Sequence, residues 1–143
     1  MKRDIKKPKS SIGFLVDENL PPEVSNFIAS MGYRVAHIGI NKQYLILAPK
    51  KSTKDAQLKK WVQFMIFITK DKKLLKPGRF PSKNRGVFVL DCSDSTIMNT
   101  IYHLFDIGQY LWKKDFVLTD RRFMIGVDFF NELNLDGTLL KKY

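Results

Sequence analysis

Three short runs of apolar residues, each closely followed by an aspartate, constrain the fold more than any other feature of this chain. The runs cover residues 12–16, 64–69 and 87–90. Continuous apolar runs of this length are typical of strands that are buried on both faces. Such strands occur mainly in parallel sheets covered by helices, so the runs predict a protein of the α/β class.

Helical patterns alternate with the strands. Residues 21–31 begin with two prolines and carry apolar side chains at helical spacing, and Gly32 suits the end of a helix. A second helix is expected to begin at Ser52 or Thr53, and a third to follow residue 94. This order predicts a three-layer α/β/α sandwich with a mainly parallel central sheet.

The two ends of the chain have different patterns. Residues 1–11 are basic and without periodicity, which predicts a flexible arm, and residues 12–143 are expected to form one domain. Residues 116–118 and 123–127 are apolar and flank Thr-Asp-Arg-Arg. We therefore expect the fold to end in a β-hairpin.

The composition restricts the function classes. Lys and Arg total 25 against 14 Asp and Glu, a formal charge of +11, which is typical of proteins that bind a polyanion such as nucleic acid. A charged surface that only keeps the protein in solution is the alternative. A single cysteine excludes an internal disulfide. No apolar run reaches the roughly 18 residues of a membrane span, so no membrane partner is expected. No apolar stretch of signal-peptide length follows the basic start, so secretion is not expected and the cytoplasm is the predicted location.

The aspartates that follow the apolar runs are the best candidates for a site. Asp17, Asp71 and Asp91 each lie at or just after a predicted strand end. The carboxyl ends of neighbouring parallel strands meet at one edge of a sheet, where the three side chains would converge. Clustered carboxylates favour a hard cation such as Mg²⁺ or Mn²⁺, which can act on a phosphodiester. Alternatively, each aspartate could only cap a helix or turn.

A basic segment, residues 70–86, adjoins Asp71. Its cations are predicted to contact a nucleic-acid backbone, and Phe80 to stack on a base. The basic residues are Lys70, Lys72, Lys73, Lys76, Arg79, Lys83 and Arg85. The alternative is an ordinary solvated loop.

Residues 14–21, Phe-Leu-Val-Asp-Glu-Asn-Leu-Pro, resemble the opening signature of PIN-like domain proteins, a group of small prokaryotic domains near the Mut7-C ribonucleases. Residues 32–37, Gly-Tyr-Arg-Val-Ala-His, are similar to the next strand of that group. Ser-Thr-Lys-Asp at 52–55 and Thr-Lys-Asp at 69–71 match its later motifs. The resemblance covers roughly residues 12–92.

The resemblance implies a PIN-like ribonuclease that cuts RNA with Mg²⁺ or Mn²⁺. Such proteins are often the toxin of a toxin–antitoxin pair, so an antitoxin protein and a homodimer are the implied partners. Asp17, Asp55 and Asp71 match the acids of the family, which implies catalytic and metal-binding roles. Glu18 and Asp91 are expected to add metal ligands, although Asp91 has no secure counterpart in the family. Asn19 and Thr69 also match the motifs of the family, which implies that they support the metal-binding side chains.

Two other functions fit the same residues. A nucleic-acid-binding module without catalysis would use the basic segment alone. A receiver-like signalling domain would share the Asp17-Glu18 pair, but it would also need an acceptor aspartate ending the third strand and a lysine ending a later one. The sequence shows no such lysine.

Overall fold

A computed structural model describes residues 12–40, 55–113 and 118–143, except for the side chains of residues 55–57. Seven strands and three α-helices are present in these ranges. The strands are β1 (Gly13–Val16), β2 (Arg34–His37), β3 (Ile66–Thr69), β4 (Val87–Leu90), β5 (Arg122–Ile125), β6 (Phe130–Leu133) and β7 (Leu139–Lys142). The helices are α1 (Pro22–Ser30), α2 (Asp55–Val62) and α3 (Ile97–Trp112), with short 3₁₀ helices at Lys72–Leu75 and Asp94–Thr96.

All seven strands form one sheet in the order β2-β1-β3-β4-β5-β6-β7. The first five strands are parallel, and β6 and β7 are antiparallel to their neighbours. The fold is therefore α/β with a mainly parallel sheet, as the apolar runs predict. Within the described ranges, no helix is long and apolar enough to cross a membrane.

Hydrophobic clusters cover both faces of the sheet. On one face α1 and α3 pack around Phe14, which is fully buried and contacts the rings of Tyr33, Phe105 and Trp112. The other face is covered by Val62 of α2 and by the segment between β3 and β4. Helices or loops on both faces are compatible with the predicted three-layer arrangement.

Some predicted boundaries differ from the structure. Strand β3 begins at Ile66, since Phe64 lies in a turn and is 71% exposed. The predicted start of the second helix at Ser52 or Thr53 and the basic arm, 1–11, lie outside the described residues. So does most of the first arm of the predicted hairpin, residues 116–118. Strand β5 instead pairs with β4 and β6.

Gly86, just before β4, allows a close approach that an alanine would prevent. Its φ is +111°, and a Cβ there would lie 2.9 Å from both the Cβ and the carbonyl oxygen of Leu118. We expect Gly86→Ala to lower the free energy of unfolding by about 1–3 kcal/mol, because of backbone strain and this clash. Urea denaturation measures the change. Gly78→Ala is the control. The φ of Gly78 is also positive, +75°, but nothing lies within 4 Å of the position that an added Cβ would take. Equal losses in the two variants would contradict the role of the close approach.

Candidate functional site

The strand order places a crevice at the carboxyl ends of β1 and β3. Within the sheet, β2 lies next to β1 on one side, and β3 lies next to β1 on the other. The strand order therefore reverses direction between β1 and β3, which makes this position a topological switch point. Asp17 directly follows β1, and Asp71 lies two residues after β3. Asp91 follows β4 at the same edge. The predicted convergence of strand-end acids therefore has the required topology.

A single hydroxyl links the carboxylate of Asp17 to the backbone of Asp71. Thr69, the last residue of β3, is fully buried, and its Oγ1 donates a hydrogen bond of 2.6 Å to Oδ2 of Asp17. The same Oγ1 accepts the backbone N–H of Asp71 at 3.0 Å. The other oxygen of Asp17, Oδ1, accepts the N–H of Glu18 at 2.8 Å. Both oxygens of Asp17 are thus held in place, and each keeps a further lone pair.

Burial is the largest influence on the carboxyl of Asp17 and raises its pKa above the ordinary value of 3.8. The negative charges of Glu18 and Asp71 raise this pKa further, while the hydrogen bonds from Thr69 and Glu18 lower it. The net rise means that the ionised form lacks a positive partner strong enough to offset its burial. A bound cation would supply one.

Asp71 has a structural task as well. Its Oδ1 accepts the N–H of Lys73 at 3.0 Å and so caps the 3₁₀ helix Lys72–Leu75. This cap occupies one carboxylate oxygen and leaves Oδ2 for another partner. Capping and ligand binding are therefore compatible at this residue.

Two ion pairs join the residues that follow β3 to the residues that follow β4. Lys72 contacts Asp91 at 2.5 Å, and Lys70 contacts Asp94 at 2.9 Å. Asp91, a predicted metal ligand, is thus occupied by an ammonium group with which a metal would compete. The sequence pattern did not select Asp94 as a site residue. Its position just beyond the end of β4, beside Asp91, is the signal that could have indicated it.

The remaining predicted site residues lie in the turn after β1 and at the start of α2. Glu18 and Asn19 are exposed in the turn after β1. Asp55 is the first residue of α2, and its side chain lies outside the described part of the structure. The turn itself is held by buried His37, whose Nε2 is 2.9 Å from the carbonyl oxygen of Leu20.

The donor set can be compared with the needs of a divalent cation. Among the side chains that the structure describes, no group of three or more His, Cys, Asp or Glu residues is placed to hold a metal. Mg²⁺, however, commonly uses only one or two carboxylates and completes its octahedron with water and substrate phosphate. Asp17 and Asp71 offer two such carboxylates and no soft ligand. The residues present therefore fit Mg²⁺ or Mn²⁺.

The basic segment 70–86 presents most of its cations to solvent. Lys73, Lys76, Arg79 and Lys83 are exposed. Arg85 is also exposed, but its Nε donates to the carbonyl oxygen of Gln63 at 3.3 Å.

Phe80 is different from its neighbours in the segment. It is 4% exposed, and its ring stacks on Phe67 with the centroids 5.7 Å apart. The expectation that Phe80 stacks on a base is therefore wrong, since this ring instead anchors the segment to the sheet.

Comparisons with protein-family models, curated proteins and solved structures find no match to this chain.

The strand order and the end of β5 test the receiver-like alternative. The strand order 2-1-3-4-5 occurs in receiver-like proteins. However, β5 ends at Ile125 and continues as Gly126-Val127, so the lysine that a receiver needs at a later strand end is missing there.

Proposed function

We propose that this protein is a PIN-like, metal-dependent endoribonuclease whose centre is formed by Asp17 and Asp71. The observation that carries the proposal is the hydroxyl of Thr69 at the switch point of the sheet, which bonds the carboxylate of Asp17 and the backbone N–H of Asp71, while the charge of Asp71 acts on Asp17. Enzymes of this fold class bind their ligands at such an edge. The raised pKa of Asp17 also supports a cation site, because a cation would relieve the unfavourable burial of its charge.

Asp17 and Asp71 would hold the Mg²⁺ or Mn²⁺ ion, and Thr69 would keep the carboxylate of Asp17 in one orientation. The bound ion supplies a Lewis acid for a phosphate oxygen. Lys70 and Lys72 lie at the same edge, where they can exchange their carboxylate partners for phosphates of the RNA. The exposed cations of the basic segment would extend this contact along the backbone.

The wider proposals follow from the resemblance in residues 12–92. They are a cytoplasmic toxin, an antitoxin protein that restrains it, and a homodimer. Asp55 and Glu18 remain proposed ligands. Non-catalytic RNA binding is the competing function, because the exposed cations alone would support it.

Cleavage of a mixed RNA pool tests the proposal. We expect cutting with Mn²⁺ or Mg²⁺ and none with EDTA. Asp71→Asn should reduce the rate by about 100-fold or more, because even residues that only support metal ligands contribute 10- to 100-fold. Asp106→Asn, an exposed change on α3, is the matched control and should cut normally.

RNA binding is measured on the same proteins. Binding that weakens with salt and survives Asp71→Asn, together with cleavage that is lost, supports the nuclease. Salt-sensitive binding without cleavage by any of the proteins would favour the binding module. Cutting that persists in EDTA would contradict a metal-dependent centre.

A further inference from the structure

Arg121, the residue before β5, and Arg122, the first residue of β5, differ in their charged partners. Arg121 is matched by an acid, since its Nε donates to Oε2 of Glu132 at 2.7 Å. Arg122 is only 5% exposed, and its Nε and Nη1 are fully buried. Neither atom has a hydrogen-bond acceptor within the parts of the chain that the structure describes. The small exposed area of Arg122 therefore lies on other atoms of the side chain.

The sheet register shows what surrounds Arg122. It pairs with Val87 of β4 on one side and with Leu133 of β6 on the other. Alternate strand residues share a face, so Arg122 lies on the same face as Met124. That face carries the cluster that contains Val87, with Met124 and Leu133 packed against it. Arg122 thus lies on an apolar face of the sheet, and two of its guanidinium nitrogens are fully buried.

A buried guanidinium group does not become neutral. The guanidinium stays protonated at every physiological pH, so burial cannot be relieved by losing a proton. An unpaired buried charge is strongly unfavourable, and proteins normally pair it with an anion. Arg122 therefore needs a negatively charged partner that the described residues do not supply.

The segment that covers this face cannot supply the partner either. Leu75 and Phe80 of that segment belong to the same buried cluster as Val87. Residues 72–90 contain six Lys or Arg and no Asp or Glu. The charged residues of this segment are therefore all basic, which favours an external anion and, among anions, one of high charge.

We propose that Arg122 is the centre of a binding site for a small phosphate anion, either inorganic phosphate or the terminal phosphate of a nucleotide. The planar fork of a guanidinium matches a phosphate through two parallel hydrogen bonds. Because Nε and Nη1 are fully buried, a phosphate would reach the fork only when the covering segment shifts, which favours a small anion over the internal phosphates of an RNA chain.

This site is separate from the acids and does not depend on RNA cleavage. Arg122 pairs with Val87, the first residue of β4, whereas Asp91 follows the last residue of that strand. Four residues of parallel strand span about 13 Å, so Arg122 lies toward the opposite edge of the sheet. Its ligand would therefore bind at a position remote from Asp17.

Isothermal titration calorimetry with inorganic phosphate, in EDTA and 150 mM chloride, tests the site. We expect one phosphate per chain and a Kd at least tenfold weaker in Arg122→Met. Lys113→Met, which removes an exposed charge at the C-terminal end of α3 on the other face of the sheet, should change the Kd less than twofold. A nucleoside 5′-monophosphate is titrated in parallel. Tighter binding than phosphate identifies a nucleotide as the ligand, and equal or weaker binding identifies the free anion.

Thermal unfolding supplies a second readout. At ten times its Kd, phosphate should raise the Tm of the wild type by about 4 °C and leave Arg122→Met unchanged. In chloride alone, the Tm of Arg122→Met should be no lower than that of the wild type, because an unpaired buried charge has been removed. Equal phosphate binding by the two proteins would overturn the proposal.

The wild-type titration decides the matter if Arg122→Met does not fold. In that case Arg122→Lys, which keeps the charge but loses the fork, should bind phosphate about tenfold more weakly than the wild type. Absence of one-to-one phosphate binding in the wild type would also overturn the proposal, and would indicate water as the partner of Arg122.

Discussion

Replacing Asp17 by asparagine is expected to reduce RNA cleavage by about 100- to 1,000-fold and to leave the fold intact. The change removes the negative charge that would hold the metal, and a lost electrostatic contact to the reacting centre commonly has an effect of this size. The shape of the side chain is kept. Its Oδ1 can still accept the N–H of Glu18, and its amide can donate to Oγ1 of Thr69, whose hydroxyl then reverses its role.

The same change should not destabilise the protein at neutral pH. Burial raises the folded-state pKa of Asp17 above 3.8, so its favourable contribution is complete only below that pH and is lost as pH rises through the folded pKa. The ionised form at pH 7 therefore lowers stability, and the neutral amide avoids this loss. In EDTA, the stability of Asp17→Asn relative to wild type should increase with pH from about 4 upward.

Cleavage assays and urea denaturation between pH 4 and 7 measure both effects. An active Asp17→Asn protein would remove Asp17 from the centre. An inactive variant that is also much less stable than the wild type at pH 7 would indicate a structural role instead. The Asp106→Asn protein is again the control, since Asp106 is exposed on α3.

The sequence predicted those parts of the fold that depend on local pattern. Strands buried on both faces need continuous apolar residues, so β1, β3 and β4 are visible in the sequence, and with them the positions of Asp17, Asp71 and Asp91. The order of strands in the sheet is a non-local property. The switch point between β1 and β3 therefore emerged only from the structure.

Other features depend on tertiary contacts that no local pattern reveals. The pairing of Lys70 with Asp94 joins residues 24 positions apart. In α3, Tyr110 is 67% exposed, whereas Trp112, two residues later, is buried against Phe14, a difference that their shared aromatic character does not predict. The aromatic Phe80 resembles a nucleic-acid contact by composition, yet it is part of the core.

Replacing Arg121 by methionine is expected to lower the free energy of unfolding by about 3 kcal/mol at pH 7. Glu132 is 5% exposed, and Arg121 donates to both of its carboxylate oxygens, with the hydroxyl of Tyr143 2.7 Å from Oε1. Removal of one partner leaves a buried carboxylate with too few donors, and broken buried pairs commonly lose 3–5 kcal/mol. The remaining bond from Tyr143 and the charge of Lys141 favour the lower end of that range.

The pH dependence identifies the cause of the loss. Burial raises the pKa of Glu132, but the hydrogen bonds from Arg121 and Tyr143 and the charges of Arg121 and Lys141 outweigh it, so the net pKa is lowered below 4.5. Glu132 therefore stabilises the wild type above about pH 4.5, and this contribution is lost as pH falls through its folded pKa. The difference between wild type and Arg121→Met should consequently shrink as pH falls below about 4.5.

A double variant separates a lost pair from lost packing. Arg121→Met combined with Glu132→Leu removes both charges, and apolar replacements of buried pairs are often neutral or stabilising, so we expect the double variant to recover most of the lost stability. Urea denaturation of the wild type, the two single variants Arg121→Met and Glu132→Leu, and the double variant at pH 7 measures the coupling between the two sites. If the double variant is no more stable than Arg121→Met, packing of the arginine stem, rather than its charge, holds the end of the sheet together. In that case the loss should also be independent of pH, which gives the two explanations opposite outcomes in one set of measurements.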